Sequence, residues 1–110
     1  MGLVTLQSEF LCDVAKLILW AKEQGLQLTG GELFRTPEQQ AIYIKTGKSK
    51  TSNSKHLKRL AIDLNLFIDG QYMTDKESYK PLAEYWKSLN PKNKAGYDWG
   101  WDANHFERTE

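Results

Sequence analysis

Apolar residues recur at helical spacing in two long stretches of the chain. The first stretch follows Ser8, which can serve as an N-cap, and it ends at Gly25. The second follows a cap at Thr74 or Asp75 and stops before Pro91. Both patterns predict amphipathic helices that pack one face on a core. Their apolar positions are Phe10, Leu11, Val14, Leu17, Ile18 and Ala21, and then Tyr79, Leu82, Ala83, Trp86 and Leu89.

A third helix is predicted between these two from its start signal. Thr36 is placed to cap the helix, Pro37 takes the first helical position, and Gln39 completes a capping box. The helix is expected to run from about Pro37 to Lys45 and to close at Gly47.

Strands are predicted where the apolar period falls to two. Residues 26–29 alternate, and 32–35 continue the pattern after two glycines. From Leu60 to Ile68 the aliphatic residues occupy even positions, which places Asp63 on the opposite face. An Asp-Gly pair at 69–70 then predicts a hairpin, and 104–107 form a short strand with His105 and Glu107 on one face. Residues 92–96 are interpreted as a polar connector. The pattern predicts an α+β domain in which about three helices pack against a small antiparallel sheet.

Composition excludes several classes of protein. The chain has 110 residues, 40% of them hydrophobic and 26% charged, with a net charge of +1, which indicates one soluble domain spanning 1–110. Its single cysteine, Cys12, excludes a disulfide framework and a cysteine-rich zinc site. No segment is apolar for long enough to insert stably in a membrane, and the N-terminal residues do not form a signal peptide.

A basic stretch lies in the middle of the chain. Six lysines and arginines and no acidic residue occur between Gln39 and Ile62, and residues 47–54 read as an exposed loop. Two interpretations stay open: a solvated loop, or a basic rim that attracts an anionic substrate. Nucleic acid is not expected as a partner, because the loop has no aromatic residue to stack on bases.

The only two histidines each have an aspartate at a defined offset. His56 comes seven residues before Asp63, and Asp102 comes three before His105. Two imidazoles and a carboxylate form a normal ligand set for a catalytic zinc ion, and a further acidic residue near the bound water is what a hydrolase needs as general base. An odd offset along one strand would separate His56 from Asp63, so His56 is expected in a turn that folds back over the strand.

Three segments together carry a resemblance to a known family. The patterns Ser-x-His-x-x-x-x-Ala-x-Asp at 54–63 and Asp-x-x-His-Phe-Glu at 102–107, together with residues 34–40, are similar to the M15 family of zinc peptidases. This family contains D-Ala-D-Ala carboxypeptidases, D-Ala-D-Ala dipeptidases and phage L-alanyl-D-glutamate endopeptidases, which act on cell-wall peptides. The loop at 47–51 and residues 54–57 most resemble the phage endopeptidases.

The resemblance implies a role for each matching residue. It implies zinc ligands at His56, Asp63 and His105, a catalytic carboxylate at Asp102, a transition-state arginine at Arg35, and substrate contacts from Arg35 and Ser54. Gln40, within the matching residues 34–40, and Trp99 are also expected to contact substrate; the aromatic segment 97–101 that contains Trp99 suggests either a cleft wall or an aromatic mini-core. Glu107 is interpreted as either an orienting partner of His105 or a surface carboxylate. Arg59 occupies a position where the family usually has glycine for a tight backbone path, so it must be accommodated in another way.

The expected function follows from this resemblance. It favours zinc-dependent hydrolysis of peptidoglycan stem peptides at L-Ala–D-Glu by a monomeric phage or prophage lysis enzyme. Such an enzyme would be made in the bacterial cytoplasm without a signal peptide and would reach the cell wall after phage-mediated release. Two alternatives stay open: a D,D-carboxypeptidase or dipeptidase with the same metal chemistry, and a zinc-stabilised cell-wall-binding module without catalysis.

Overall fold

The structure is a computed structural model that describes residues 2–48 and 54–110. Helices are α1 (Leu3–Glu23), α2 (Pro37–Lys45) and α3 (Lys80–Leu89), and strands are β1 (Gln27–Gly30), β2 (Ala61–Ile68), β3 (Gln71–Tyr72), β4 (Asn93–Ala95) and β5 (His105–Arg108). Within the described residues, 3₁₀ helices cover Lys55–Lys58, Lys76–Tyr79 and Gly96–Trp99. Strand β2 lies at the centre of an antiparallel sheet with the order β1-β2-β5-β4, and β3 pairs with the end of β2 as a hairpin. The predicted α+β class is confirmed.

The core lies between one face of the sheet and the helices α1 and α3. Trp86 is fully buried and makes edge-on contacts with Phe10 and Phe106, at ring-centroid distances of 5.6 and 6.0 Å. Burying one such side chain stabilises the fold by about 1.5–3 kcal/mol. The same cluster includes Val14, Leu17, Ala21, Leu60, Leu64, Leu66, Tyr79, Leu82, Ala83 and Ala95. The period-two pattern of β2 therefore leaves Asp63 on the face away from the core.

Several predicted element boundaries are confirmed. Helix α2 has the predicted bounds, and the Thr36 hydroxyl accepts a hydrogen bond from the backbone N–H of Gln39 at 3.1 Å. The hairpin turns at Asp69 and Gly70, which have φ values of 50° and 77°. Positive φ at both central residues is what a tight two-residue hairpin turn requires.

Other boundaries were predicted wrongly. Helix α1 begins at Leu3 and not after Ser8, because Leu6 packs against the core one turn before Phe10. Residues 32–35 are not a strand: Glu32 still accepts from Asp63 N at 2.9 Å, but the chain then leaves the sheet and Arg35 N bonds to His56 O at 3.2 Å. The helix after Asp75 begins as a 3₁₀ turn before α3.

The predicted connector at 92–96 contains strand β4, which pairs with β5. Its period-two pattern was hidden because the inward residue Asn93 is polar. Asn93 is buried in an ionic cluster, where it accepts from Arg108 Nε at 2.6 Å and donates to Asp13 at 3.1 Å. Arg108 also pairs with Asp13, so the cluster fastens β4 and β5 to helix α1. No helix within the described ranges is long and apolar enough to cross a membrane.

Candidate active site

Three elements bring together two histidines and an aspartate that lie far apart in sequence. His56 lies in the 3₁₀ helix before β2, which Ser54 caps by accepting from His56 N at 3.2 Å. Asp63 lies in β2 directly opposite His105 in β5. One ligand atom from each of the three residues lies within 4.8 Å of the others, so they form a group that could hold a metal ion.

The carboxylate of Asp63 supplies an observation that a metal ion would explain. Its Oδ1 atom is buried and has no hydrogen-bond partner within residues 2–48 and 54–110. His56 Nε2 lies 3.3 Å from this oxygen, and His105 Nδ1 lies 3.4 Å from it. An unsatisfied buried carboxylate oxygen is costly, whereas a cation held by all three groups would satisfy it. The residues present therefore fit a divalent metal with nitrogen and oxygen ligands, for which zinc is well suited.

Both imidazoles are oriented by hydrogen bonds on the side away from Asp63. His56 Nδ1 lies 3.1 Å from the carbonyl oxygen of Leu33, so it donates there and leaves Nε2 free. His105 Nε2 lies 2.7 Å from Glu107 Oε1, which leaves Nδ1 free. Partners of this kind fix the tautomer of metal-binding histidines. Two roles were considered for Glu107, an orienting partner of His105 and a surface carboxylate. This contact supports the orienting role.

The charges of the three groups are strongly coupled. Burial opposes ionisation of Asp63, but its contacts with His105 and His56 outweigh burial and lower the pKa of Asp63 to about 2. Burial likewise disfavours charge on His105, but Asp63 and Glu107 outweigh it and raise the pKa of His105 to about 9. A metal ion would therefore compete with a proton at His105.

Asp102 lies beside the three residues without belonging to the group. Its Oδ2 is 3.7 Å from His105 Nδ1, and its side chain is 32% exposed at the wall of the cleft. Burial raises the pKa of Asp102 above its usual value. The backbone holds this residue closely, because its carbonyl accepts from His105 N at 3.0 Å and a Cβ atom added to Gly96 would lie only 1.8 Å from that carbonyl oxygen.

Arg35 reaches the same cleft from the junction before α2. Its guanidinium pairs with Glu32, donates to Gln40 Oε1 at 2.6 Å and to Ser54 Oγ at 3.3 Å, and lies 4.6 Å from the ring centroid of Tyr43. Four neighbouring groups thus fix one cation at the cleft wall. Gln40 is 2% exposed and is not among the described residues that line the cleft, so a substrate contact from it stays a prediction. We propose that Gln40 positions Arg35.

The cleft that contains these groups has a volume of about 550 Å³. Trp99 and Trp101 line it and are 41% and 52% exposed, so these two aromatics belong to the cleft wall. Tyr97, the third aromatic residue of the segment 97–101, packs against the core instead. The remaining lining residues are Glu32, Arg35, Tyr43, Lys48, Ser54, Lys55, His56, Asp63, Asp102, His105 and Glu107.

The lining includes residues that sequence reasoning did not select. Glu32 was assigned to a strand, yet it pairs with Arg35 and accepts from Tyr43 Oη at 2.9 Å. The sequence signal that could have indicated this ion pair is the position of Glu32 three residues before Arg35. Lys48 and Lys55 bring part of the basic stretch to the cleft, and Lys55 also pairs with Glu110 at 2.8 Å. The loop residues 49–53, including Lys50, lie outside the described residues.

Arg59 takes the backbone conformation that a glycine would adopt easily. It has φ 54° and ψ 38° and ends the 3₁₀ helix that carries His56. The left-handed conformation costs a non-glycine residue about 1–2 kcal/mol. Its guanidinium lies 4.1 Å from the ring centroid of Phe34, a cation–π contact worth about 0.5–1 kcal/mol at an exposed site. The chain therefore keeps the tight path despite the side chain.

Sequence comparisons agree with this geometry. The model of an M15-type peptidase family, described as D-alanyl-D-alanine carboxypeptidase, matches residues 47–108. An L-alanyl-D-glutamate peptidase of Listeria phage A118 is 34% identical over 96 residues, which cover 83% of this chain and 31% of that protein. The chain thus spans about a third of the length of this relative.

Two solved structures share the fold. The L-Ala D-Glu endopeptidase ChiX of Serratia marcescens aligns with a TM-score of 0.71 and 22% identity, over 88% of this chain and 78% of that one. A mutant of the vancomycin-resistance D,D-pentapeptidase VanY from a VanB-type cassette, solved in complex with Zn(II), aligns with a TM-score of 0.63 and 20% identity, over 92% and 71% of the two chains.

Proposed function

The chain belongs to the M15 family of peptidases, and we propose that it is a zinc-dependent enzyme that hydrolyses peptidoglycan stem peptides. The observation that carries this proposal is the convergence of His56, Asp63 and His105 around a buried, unpartnered carboxylate oxygen, with Asp102 beside them. A binding module would need the three ligands but would have no use for a second carboxylate at 3.7 Å or for a fixed arginine in the same cleft.

Zinc bound by His56, Asp63 and His105 would polarise the scissile carbonyl and lower the pKa of water to about 7. Asp102 supplies the proton transfers: its carboxylate accepts a proton from the attacking water and then donates it to the leaving amine. The raised pKa of Asp102 suits this double role, because a carboxyl group with a higher pKa holds the proton better between the two transfers.

Arg35 supplies positive charge where the carbonyl oxygen becomes negative. Its side chain is only 10% exposed and is fixed by Glu32, Gln40 and Ser54, so little reorganisation is needed when that charge develops. Loss of one such contact typically costs about 3 kcal/mol, or roughly a hundredfold or more in rate.

We infer that the scissile bond is L-Ala–D-Glu. The phage relative named for this activity supports the assignment, since it is 34% identical over most of this chain, and ChiX shares the fold. The second candidate is D,D-carboxypeptidase or dipeptidase activity, which the description of the family model favours. The phage origin of the relative also supports a lysis enzyme that acts on the cell wall, and we propose that this enzyme acts as a monomer.

The test of this function uses purified sacculi. Zinc-loaded protein should release soluble peptide fragments and free amino groups, and a chelator should abolish the release until zinc is restored. The Asp102→Asn variant is the control: it should bind zinc as the wild type does but release almost nothing. Equal release by the variant, or zinc-loaded protein that leaves the sacculi intact, would contradict the proposal.

A further inference from the structure

Trp99 and Trp101 form a row of rings that leads away from His105. The Trp99 ring centroid lies 5.1 Å from that of His105, and the Trp101 centroid lies 5.9 Å from that of Trp99. Both tryptophans line the cleft, and they are 41% and 52% exposed. Two half-exposed indoles beside a metal centre present apolar surface that a ligand could cover, which makes them candidates for substrate contacts.

On the side of His56, the cleft is lined by charged side chains and not by indole rings. Arg35 bonds to Ser54, the cap of the 3₁₀ helix that carries His56, and Lys48 lines the same cleft. The two histidine rings are 5.0 Å apart, so the two indoles adjoin one ligand, and Arg35, with its neighbours Glu32 and Tyr43, adjoins the region of the other. A substrate that has a ring with an apolar face at one end and a carboxylate at the other would match this arrangement.

We propose that Trp99 and Trp101 form a sugar-binding platform for the muramic acid ring, so that the enzyme prefers stem peptides still attached to the glycan strand. This inference rests on the proposed function. The amine of L-Ala is acylated by the lactyl group of muramic acid, so one residue and one short acyl group separate the scissile bond from the sugar. Since an extended residue spans about 3.3–3.6 Å, the ring would lie roughly 7 Å or more from the scissile bond.

This distance of roughly 7 Å or more matches the distance from His105 to the two indole rings. With the scissile bond at the metal centre, the sugar would lie over Trp99 and Trp101, where its C–H face can pack on the indoles while its hydroxyls stay in solvent. If the scissile bond were a D,D bond, four residues and the acyl group would separate it from the sugar. The sugar would then lie roughly 15 Å or more from the metal centre, which is beyond the platform. The D-Glu carboxylate would point towards Arg35 and Lys48.

The test compares two substrates, a disaccharide-tetrapeptide and the same tetrapeptide without sugar. The wild type should have a higher kcat/KM for the first, and Trp101→Ala should lower the ratio of the two kcat/KM values by about two- to tenfold, the range expected for one aromatic stacking contact. Trp101→Phe keeps an aromatic ring and should restore most of the ratio. Tyr72→Ala is the matched control, because Tyr72 is 51% exposed but lies on β3 outside the cleft.

A binding measurement covers the case in which Trp101→Ala is poorly folded. Zinc-loaded Asp102→Asn, with both tryptophans intact, should show quenching of tryptophan fluorescence with the disaccharide-tetrapeptide at lower concentration than with the free tetrapeptide. An unchanged substrate ratio in Trp101→Ala, or equal binding of the two compounds, would overturn the platform while leaving cleavage at L-Ala–D-Glu intact. Cleavage of both compounds at another bond would instead overturn the proposed function.

Discussion

Gly96 offers a sharp test of how closely the backbone positions the catalytic carboxylate. A Cβ atom at this residue would lie 1.8 Å from the carbonyl oxygen of Asp102 and 3.1 Å from His105 Cβ. Non-bonded heavy atoms prefer separations of about 3.5 Å, so Gly96→Ala requires the Asp102 segment to move by roughly 1.7 Å. The φ value of Gly96 is not positive, so the effect of the substitution comes from this overlap and not from backbone strain.

The expected cost is therefore both structural and catalytic. Overpacking of this kind typically destabilises a protein by about 1–3 kcal/mol. A displacement of about 1 Å at the reacting groups can lower the rate by roughly a hundredfold. Because the displaced carbonyl also accepts from His105 N at 3.0 Å, we expect zinc affinity to fall as well.

Thermal unfolding, zinc content and kcat/KM on a soluble muropeptide measure these three effects. Gly30→Ala is the matched control, because a Cβ atom at Gly30 meets nothing within 4 Å in the described part of the chain. The reasoning is refuted if Gly96→Ala and Gly30→Ala have the same activity and the same zinc content.

Three further predictions address separate parts of the structure. Asp102→Asn should keep zinc and lose activity by at least about a hundredfold; loss of the zinc would show that Asp102 is a ligand. Because the pKa of His105 is raised to about 9 in the metal-free protein, zinc affinity measured against a competing chelator should rise with pH up to about 9, and a flat profile would contradict this. Arg108→Ala removes the ion-pair partner of the buried Asp13 carboxylate, which keeps its hydrogen bond from Asn93, and should cost about 3–5 kcal/mol in chemical denaturation. Lys87→Ala breaks only an exposed pair and should cost less than about 1 kcal/mol.

Local patterns in the sequence were enough to predict the elements that position the site. The start of α2 is encoded by Thr36 and Pro37, and the turn after β2 by Asp69 and Gly70, so neither depends on tertiary context. The period of β2 predicted the face on which Asp63 projects. The resemblance then selected His56 and His105 as its partners, and the antiparallel register places His105 directly opposite Asp63.

Features that depend on long-range contacts could not be predicted in this way. Asn93 makes β4 resemble a polar connector because its partners, Asp13 and Arg108, are distant in sequence. Glu32 and Gln40 act by contacting Arg35, and each of them holds its guanidinium from a different part of the chain. Neither residue carries a periodic signal that points to Arg35, so their positioning roles emerge only when the chain is folded.

The central claim is tested most directly by mass spectrometry of muropeptide fragments. Zinc-loaded protein is incubated with purified disaccharide-tetrapeptides and disaccharide-pentapeptides, and the products are identified by mass. Cleavage between L-Ala and D-Glu predicts that both substrates yield the same disaccharide-lactyl-L-Ala fragment together with a free peptide that begins with D-Glu. Loss of one D-Ala from the pentapeptide, with the tetrapeptide intact, would contradict this assignment and identify a D,D-carboxypeptidase.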